Sequence, residues 1–339
     1  VAAEAEGEAG AAAAARAAVE RAAAAQELLG QRGRSARGGR GLPCFSSHST
    51  LPGGCSQLSS AASVRDRLKN LAQKRKDDFQ VVLSRYAVER FLVRLSRSEF
   101  AERFIVKGAS LFFLWLPELS YLRVTRDLDL LGWGRLGEEE LESIVCGLCQ
   151  MEMEVDDGLV FDQTTVATRA LRPENRYGGV RVTLEVRLLN IRIPLQIDVG
   201  LGDSVSPPAV LSEFPTLLSQ ERPELRVYQR ETAIAEKLHA LVELGLLNSR
   251  LKDYFDIAIL ARSFSFDAQI LWEAIAKTFE RRNLAIPNAV PPALTEKFLD
   301  ASKTAQWRGF VRKRLRSEHR DWKLEGVVEE VRDFLWPVL

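Results

Sequence analysis

Two aspartates stand one residue apart in a short apolar stretch, at Asp127 and Asp129. Because a β-strand projects alternate side chains from the same face, we expect the two carboxylates to lie side by side. Such a pair repels itself and loses hydration unless a cation lies between its members. A third acid, Asp198, follows another apolar stretch and can join them from a neighbouring strand. Carboxylate oxygens suit Mg²⁺, which keeps other positions for water and substrate phosphates, so the pattern predicts a metal site for phosphoryl chemistry.

A second motif lies upstream of the acid pair. Residues 107–110 read Lys-Gly-Ala-Ser and directly follow an apolar stretch at 104–106. We expect a strand that turns into a helix here, with backbone N–H groups at the helix start able to hold a phosphate. Gly108 would allow the phosphate to approach the backbone closely. Alone, this motif is a weak indication of nucleotide binding.

Apolar periodicity predicts the elements that must position these groups. Helices are expected at residues 64–76 (with Ser63 as N-cap), 79–95, 111–116 and 138–150, and strands at 104–106, at the acid pair, and at 160–165, 180–189 and 191–199. This order predicts an α/β domain over residues 63–205, with a mixed sheet that carries the acids at its rim.

The remainder of the chain, residues 206–339, is predicted to be a helical domain. Its first part, up to residue 223, is rich in proline and is interpreted as a linker. Helices are expected after it at residues 231–247, 252–264, 266–279, 294–302, 304–317 and 327–335.

Composition limits the function classes that remain. The chain has 339 residues, a net charge of +1 and 46% hydrophobic residues, which is enough for two domains and argues against broad non-specific nucleic-acid binding. No apolar stretch is long enough to span a membrane and no export signal is present, so we expect a cytoplasmic protein. Four cysteines are too few for a disulfide framework. Cys146 and Cys149 are interpreted as two helix positions rather than a zinc or redox site.

Residues 1–62 differ in composition from the rest. Alanine dominates first, an Arg/Gly segment follows, and a Ser/Gly/Pro segment comes last. Because such a sequence buries too little apolar surface to offset its chain entropy, we expect a disordered tail. The Arg/Gly segment can alternatively contact nucleic acid. The whole tail can also be an artefact of start-site choice, since the chain begins with Val.

The order of the motifs resembles a known family. The chain carries Lys-Gly-Ala-Ser at 107–110, Arg-Asp-Leu-Asp at 126–129, Asp198, Glu-Thr-Ala-Ile-Ala-Glu-Lys at 231–237 and Arg-Leu-Lys-Asp-Tyr-Phe-Asp at 250–256. This series resembles the AbiEii/AbiGii toxin family of nucleotidyltransferases over roughly residues 75–320. The resemblance implies a DNA polymerase β-like nucleotidyltransferase fold followed by a helical C-terminal domain. It also implies the toxin half of a bacterial toxin–antitoxin and phage-defence (abortive infection) system.

The resemblance implies a role for ten residues of this chain. By role, these are Asp127, Asp129 and Asp198 for metal and catalysis, Lys237 for catalysis on the triphosphate, and Lys107, Gly108, Ser110, Lys252, Asp253 and Asp256 for nucleotide binding. Where many members have Gly-Gly-Ser/Thr, this chain has alanine at position 109, which is tolerable unless that residue needs a positive φ.

The implied reaction is an in-line attack by an acceptor hydroxyl on the α-phosphate of an NTP, with pyrophosphate leaving and two Mg²⁺ ions assisting. Asp127 and Asp129 would bridge the ions, and Asp198 would bind the nucleophile-side ion and act as base. The implied partners are tRNA or another RNA as acceptor, and a cognate antitoxin protein. Two other functions stay open: a GTP- or NTP-binding regulatory module without turnover, and a metal-dependent hydrolase.

Purely structural roles also stay open for several of these residues. Lys237 can be an exposed lysine, Lys252 and Asp256 can form an ordinary i,i+4 pair, and Asp253 can be a helix cap. Asp203 is interpreted as a surface acid. A basic cluster near the C-terminus can bind RNA or simply face solvent; it comprises Arg308, Arg312, Lys313, Arg314, Arg316 and Arg320, with Trp307 and Trp322 nearby.

Overall fold

The computed structural model describes residues 56–117, 127–134, 136–171, 178–218, 221–315 and 321–339. Most of the predicted tail, together with Arg126, Arg316 and Arg320, lies outside the described residues. Helix α1 (Ser56–Arg75) already includes residues 56–62, so the expected tail boundary and the expected N-cap at Ser63 are wrong. The helix continues across that position because Ala61 is buried in the core and alanine favours helix.

Helix α2 (Phe79–Arg97) lies at the centre of the first hydrophobic core. Asp78 caps its N-terminus, and all residues from 81 to 95 are buried. A helix that is buried around its whole circumference must pair the charges it carries. Arg85 and Glu89 accordingly form an ion pair of 2.9 Å within α2.

In the part of the chain that the structure describes, seven strands form one mixed sheet in the order β3-β4-β5-β2-β1-β7-β6. Their bounds are β1 (Phe104–Lys107), β2 (Asp127–Gly132), β3 (Leu159–Leu171), β4 (Gly179–Leu188), β5 (Ile191–Leu201), β6 (Val210–Glu213) and β7 (Glu224–Val227). β2 pairs in parallel with β5 and β1 in parallel with β7, whereas the other neighbours are antiparallel. The predicted α/β class with a mixed sheet is therefore confirmed.

The interpretation of residues 206–223 as a linker is wrong. β6 lies within this segment and pairs with β7. β7 in turn pairs with β1, so the two strands extend the sheet on the side of β1 away from β2. The sheet therefore runs past the expected domain boundary at residue 205, as far as Val227. These strands have only four residues each and are flanked by prolines, so they carry too few alternations to give a strand signal.

The two faces of the sheet have different partners. Along β5, Ile193, Leu195, Ile197 and Val199 are buried in the first core. Asp198 alternates with these residues and therefore projects from the opposite face. The cleft described below opens on that second face.

Within the described residues 221–315 and 321–339, the second core is formed by five helices that follow the sheet. They are α5 (Arg230–Leu244), α6 (Leu251–Ser263), α7 (Ala268–Arg281), α8 (Ala301–Arg314) and α9 (Leu324–Leu335). The predicted helix at 294–302 is replaced by two short 3₁₀ turns, Pro292–Leu294 and Glu296–Phe298, after which Asp300 caps α8. The helical character predicted for this region is otherwise confirmed.

Two shorter helices complete the first core, α3 (Phe112–Trp115) and α4 (Glu138–Gln150). Cys146 and Cys149 both lie on α4 as free thiols, in agreement with two ordinary helix positions. Burial raises the pKa of the Cys149 thiol to about 12, which keeps it protonated and unreactive at neutral pH. Among the helices that the structure describes, none has the length and apolar character needed to cross a membrane.

Candidate active site

Four charged residues lie at the same level across four neighbouring strands. Arg181 on β4 is opposite Asp198 on β5, Asp198 is opposite Asp129 on β2, and Asp129 is opposite Lys107 on β1. Side chains at matched positions of neighbouring strands project from the same face. The row therefore places two adjacent carboxylates between two cations.

Asp127 and Asp129 lie on one side of β2, as their spacing predicts. Leu128 between them is completely buried in the first core, while both acids line a cleft on the other face. Asp127 is exposed at the start of the strand and Asp129 is half-buried. Asp198 lines the same cleft, so the structure brings the three predicted metal ligands together.

The surroundings of the Asp129 carboxyl disfavour its charged form. Burial raises its pKa, and repulsion from Asp198 acts in the same direction. Lys107 and Lys252 oppose the shift by attraction, but they do not cancel it. The folded protein thus holds a carboxylate where negative charge is unfavourable, a cost that a bound cation would relieve.

Arg181 is a member of the site that the sequence analysis missed. Its Nε and Nη2 donate to Oδ1 and Oδ2 of Asp198, each at 2.7 Å, which is a bidentate ion pair. These hydrogen bonds raise the pKa of Arg181. In the described part of the chain, no three Asp, Glu, His or Cys side chains have the spacing of a formed metal site.

Gly108 brings the main chain against the Asp129 carboxylate. It has a φ of +73°, and a Cβ added there would lie 2.1 Å from Oδ2 of Asp129. Both facts require glycine at this position. Gly108 and Ala109 line the cleft, and Ala109 has no positive φ, so its methyl group is tolerated. The Ser110 side chain is instead buried, which does not support the expected contact with phosphate.

Lys107 is engaged in ion pairs within the protein. Its Nζ donates to Oδ2 of Asp203 at 2.8 Å and to Oε1 of Glu236 at 3.0 Å. Burial acts to lower the pKa of Lys107, but attraction by Glu236 and Asp203 outweighs it and holds the pKa well above its usual value. Lys107 also lines the cleft, so its predicted contact with nucleotide stays a prediction. In this structure it is a fixed positive charge beside Asp129.

The same ion-pair network joins the two cores. Arg282, which follows α7, donates to Asp203 at 2.9 Å and lies 3.4 Å from Glu236 on α5. Tyr228 donates its hydroxyl to Glu236 at 3.1 Å. The interpretation of Asp203 as a surface acid is wrong, since its side chain is only 11% exposed. Burial alone would raise its pKa, but Lys107 and Arg282 hold it well below the usual range.

Lys237 on α5 reaches across to α6. Its Nζ donates to Asp256 at 2.7 Å and to Asp253 at 3.2 Å, and Arg250 donates to the other oxygen of Asp253 at 2.7 Å. Lys237 also lines the cleft. Lys237 is thus not an exposed lysine on the helix surface. It forms ion pairs within the protein and also borders the cleft.

Asp253 and Asp256 accept hydrogen bonds from Lys237, and Asp253 also accepts one from Arg250. Both side chains are almost completely buried, and the second does not line the cleft. Burial would raise the pKa of Asp253, but Lys237 and Arg250 lower it below its usual value. A direct nucleotide contact is therefore not supported for Asp256, and Asp253 is a partner of basic residues rather than a helix cap. Lys252, directly before Asp253, is exposed and lines the cleft.

His239 on α5 is packed in the interior between the helices. Its side chain is buried, and its ring lies edge-on to Phe279 at 5.2 Å between centroids. Among the described residues, neither ring nitrogen finds a hydrogen-bond partner, although Nδ1 lies 3.8 Å from Oε2 of Glu243. Burial, with the nearby charge of Arg282, lowers the pKa of His239 to about 4. The imidazole is therefore neutral at physiological pH.

The cleft that these residues share has a volume of about 1030 Å³ and is lined by both cores. The sheet supplies the acids and Gly108, and the helices supply Lys237, Lys252 and, on α8, Gln306 and Phe310. This volume is at the upper end of small-molecule sites, which leaves room for more than a nucleotide.

A comparison with known families decides what kind of protein this is. Residues 90–330 match the family model described as "Nucleotidyl transferase AbiEii toxin, Type IV TA system". The chain belongs to this family. It is therefore a nucleotidyltransferase toxin, and membership implies an antitoxin partner. All ten residues to which the resemblance gave a role lie within the matched range.

Two solved structures are similar to this AbiEii-family chain at low sequence identity. One is JHP933 from Helicobacter pylori, at 13% identity and a TM-score of 0.47, with 77% of this chain and 92% of that chain covered. The other is a candidate nucleotidyltransferase from Helicobacter pylori, at 12% identity and a TM-score of 0.44, with 77% and 95% covered. No curated protein matches the chain.

Proposed function

We propose that this protein transfers a nucleotidyl group from an NTP to a hydroxyl of an RNA acceptor, namely tRNA, with Mg²⁺ as cofactor. The observation that carries the proposal is the meeting of Asp127, Asp129 and Asp198 on one face of the sheet, at the wall of a large cleft. Three hard oxygen donors beside an open cleft suit Mg²⁺, which binds through few carboxylates and completes its shell with substrate phosphates.

These acids fit the cofactor electrostatically as well. Burial and repulsion from Asp198 raise the pKa of the Asp129 carboxyl, so a divalent cation beside it would stabilise its charged form and the folded site. Bound Mg²⁺ would neutralise the charge of the phosphates and make the acceptor hydroxyl easier to deprotonate. Asp127, Asp129 and Asp198 would hold the ions, two in number as in other phosphoryl-transfer sites.

The remaining residues would orient the NTP. Lys237 and Lys252 line the cleft opposite the acids and can attract the triphosphate as point charges. The acceptor oxygen forms a bond to the α-phosphorus while the bond from that phosphorus to the β-phosphate's bridging oxygen breaks. Pyrophosphate leaves, and the hydroxyl proton passes to Asp198 as base. Lys107 keeps its charge beside Asp129 throughout, since its own ion pairs fix its position.

Helix α8 supports an RNA acceptor. Gln306 and Phe310 line the cleft, and Arg308, Arg312 and Lys313 on the same helix are exposed. Exposed cations beside a catalytic cleft can follow a phosphate backbone, which would make acceptor binding sensitive to salt. NTP and tRNA are both cytoplasmic, so we place the reaction there and assign it to phage defence through an abortive response that the antitoxin restrains.

The test is transfer of label from each α-labelled NTP in turn to total bacterial tRNA, with Mg²⁺ and the purified protein. Asp127→Asn removes one proposed ligand with almost no change of shape. Asp162→Asn is the matched control, because Asp162 is an acid on β3 that pairs with Arg187 away from the cleft. We expect label on tRNA with wild type and with Asp162→Asn, and none with Asp127→Asn.

Each other outcome changes the account in a defined way. Measurable NTP binding without label on any RNA would favour a binding module without turnover. Label released as free nucleotide would indicate a hydrolase. Equal transfer by Asp127→Asn and wild type would contradict the metal-site assignment.

A further inference from the structure

The bidentate pair between Arg181 and Asp198 occupies both oxygens of a proposed metal ligand. The two side chains are 25% and 21% exposed, so the pair is partly shielded from water at the wall of the cleft. The hydrogen bonds of 2.7 Å show a fully formed contact. A cation that binds Asp198 must compete with this guanidinium.

Of the two cations that flank the acids in the row across the strands, Arg181 is the one that competes for Asp198. Asp198 is opposite Asp129 in the strand register, and Arg181 is also attracted by Asp127 and Asp129. A guanidinium here neutralises part of the negative charge that a cation would neutralise. The second flanking cation, Lys107, is held instead by Asp203 and Glu236 and does not contact Asp198.

We infer that Arg181 is an internal counter-ion that competes with the divalent cation for Asp198 and is released from it when NTP enters the cleft. The inference rests on the proposed function, because it takes the acid cluster as the cation site. A guanidinium fork fits phosphate oxygens as well as it fits a carboxylate. The triphosphate therefore offers Arg181 a second partner, and its departure leaves Asp198 open to the cation.

This arrangement couples the binding of cation to that of nucleotide. Without nucleotide, cation binding must break the Arg181 pair, which weakens the apparent affinity. With nucleotide present, that cost is offset by the new contact between Arg181 and phosphate. By linkage, the cation strengthens nucleotide binding by the same factor. Arg181 is therefore a positioning residue that discourages cation loading before the substrate has arrived.

The test is Mn²⁺ binding to the full chain, measured by titration without nucleotide and with a non-hydrolysable NTP analogue. Arg181→Met removes the counter-ion. Arg187→Met is the matched control, because it removes the same charge from the same strand and breaks a pair with Asp162 instead. We expect Arg181→Met to bind Mn²⁺ about tenfold more tightly than wild type without nucleotide, a factor typical of coupled sites. The analogue should then add little to its affinity, whereas Arg187→Met should match wild type in both conditions.

The opposite result has an equally clear meaning. If Arg181 only positions Asp198 for the metal, Arg181→Met will bind Mn²⁺ as weakly as wild type or more weakly, and the inference is overturned. If Arg181→Met does not fold, Arg181→Lys keeps the charge and loses the fork, and its Mn²⁺ affinity should be higher than that of wild type; an equal or lower affinity overturns the inference. Failure of wild type itself to bind Mn²⁺ in either condition would contradict the proposed cation site as well.

Discussion

Asp129 lies directly opposite Asp198 in the parallel pairing of β2 with β5. The two carboxylates therefore project from the same face of the sheet, although they are far apart in the sequence. Gly108 packs the turn after β1 against one of them and Arg181 holds the other. The folded protein thus places unfavourable charge where a cation and a triphosphate can relieve it.

Asp129→Asn is expected to separate stability from activity. Removing this charge relieves its burial and its repulsion from Asp198, so the variant should be more stable than wild type in EDTA, by about 1 kcal/mol. Nucleotidyl transfer should fall by about 10²-fold or more, as for loss of a group that stabilises the reacting phosphate. Thermal unfolding in EDTA and the label-transfer assay measure the two effects. A lower melting temperature would show that Asp129 is stabilised by its neighbours instead.

Gly108→Ala is expected to displace the Asp129 carboxylate. The added methyl group would meet Oδ2 at 2.1 Å, and the φ of +73° is strained for alanine, so a loss of about 1–3 kcal/mol in stability is expected. Transfer should fall with it. Gly147→Ala is the control, because no other described residue approaches its added Cβ within 4 Å and it stands inside α4, where alanine should stabilise by about 0.5–1 kcal/mol. Urea unfolding of both variants checks the prediction, which fails if the two shift stability equally.

Lys237→Met is expected to destabilise the second core. It leaves Asp256 buried without its lysine and Asp253 with Arg250 as a remaining partner, and breaking such a buried pair costs about 3 kcal/mol or more. Lys69→Met provides a control at an exposed lysine on α1. Urea unfolding measures stability, and titration with an NTP analogue measures binding at a temperature where the variant is folded. Unchanged analogue binding would remove Lys237 from the triphosphate site and leave it a structural role only.

The acid stability of the protein is expected to depend on His239. Its pKa is lowered from 6.5 to about 4 in the folded state, so the unfolded state binds a proton more readily over this interval. Stability should therefore fall as pH decreases from about 6.5 to about 4, by up to about 3 kcal/mol from this residue. His239→Leu should show a smaller fall, because it cannot be protonated. Unfolding curves at a series of pH values measure the difference; parallel curves for the two proteins would show that another group is responsible.

Much of the fold follows from local patterns in the sequence. The α4 bounds, the start of α2 and the strands that carry the acids all depend on regular alternation or helical spacing over enough residues to be recognised. Asp127, Asp129 and Asp198 could be grouped because each is an acid in an apolar stretch. The alternation of apolar and polar residues did not reveal β6 and β7, because four residues are too few to show it.

The partners of the site residues could not be predicted, because they depend on pairing between distant elements. Nothing local distinguishes Arg181 from Arg187 on the same strand, yet strand register gives only the first of them a place beside Asp198. The ion pairs of Asp203 with Lys107 and Arg282 likewise need the packing of the second core on the sheet. One local signal was available for Glu236. It directly precedes Lys237 on α5, and adjacent helix positions point in different directions, so the two residues were bound to have different partners. In the structure Glu236 accepts from Lys107, and Lys237 donates to Asp256.

The most direct test of the central claim is the anomalous scattering of Mn²⁺ in crystals of the protein grown with a non-hydrolysable NTP analogue. The account predicts Mn²⁺ bound by Asp127, Asp129 and Asp198, in contact with the phosphates, and absent from crystals of Asp129→Asn. Mn²⁺ found only elsewhere, or found unchanged at the acids in Asp129→Asn, would contradict it.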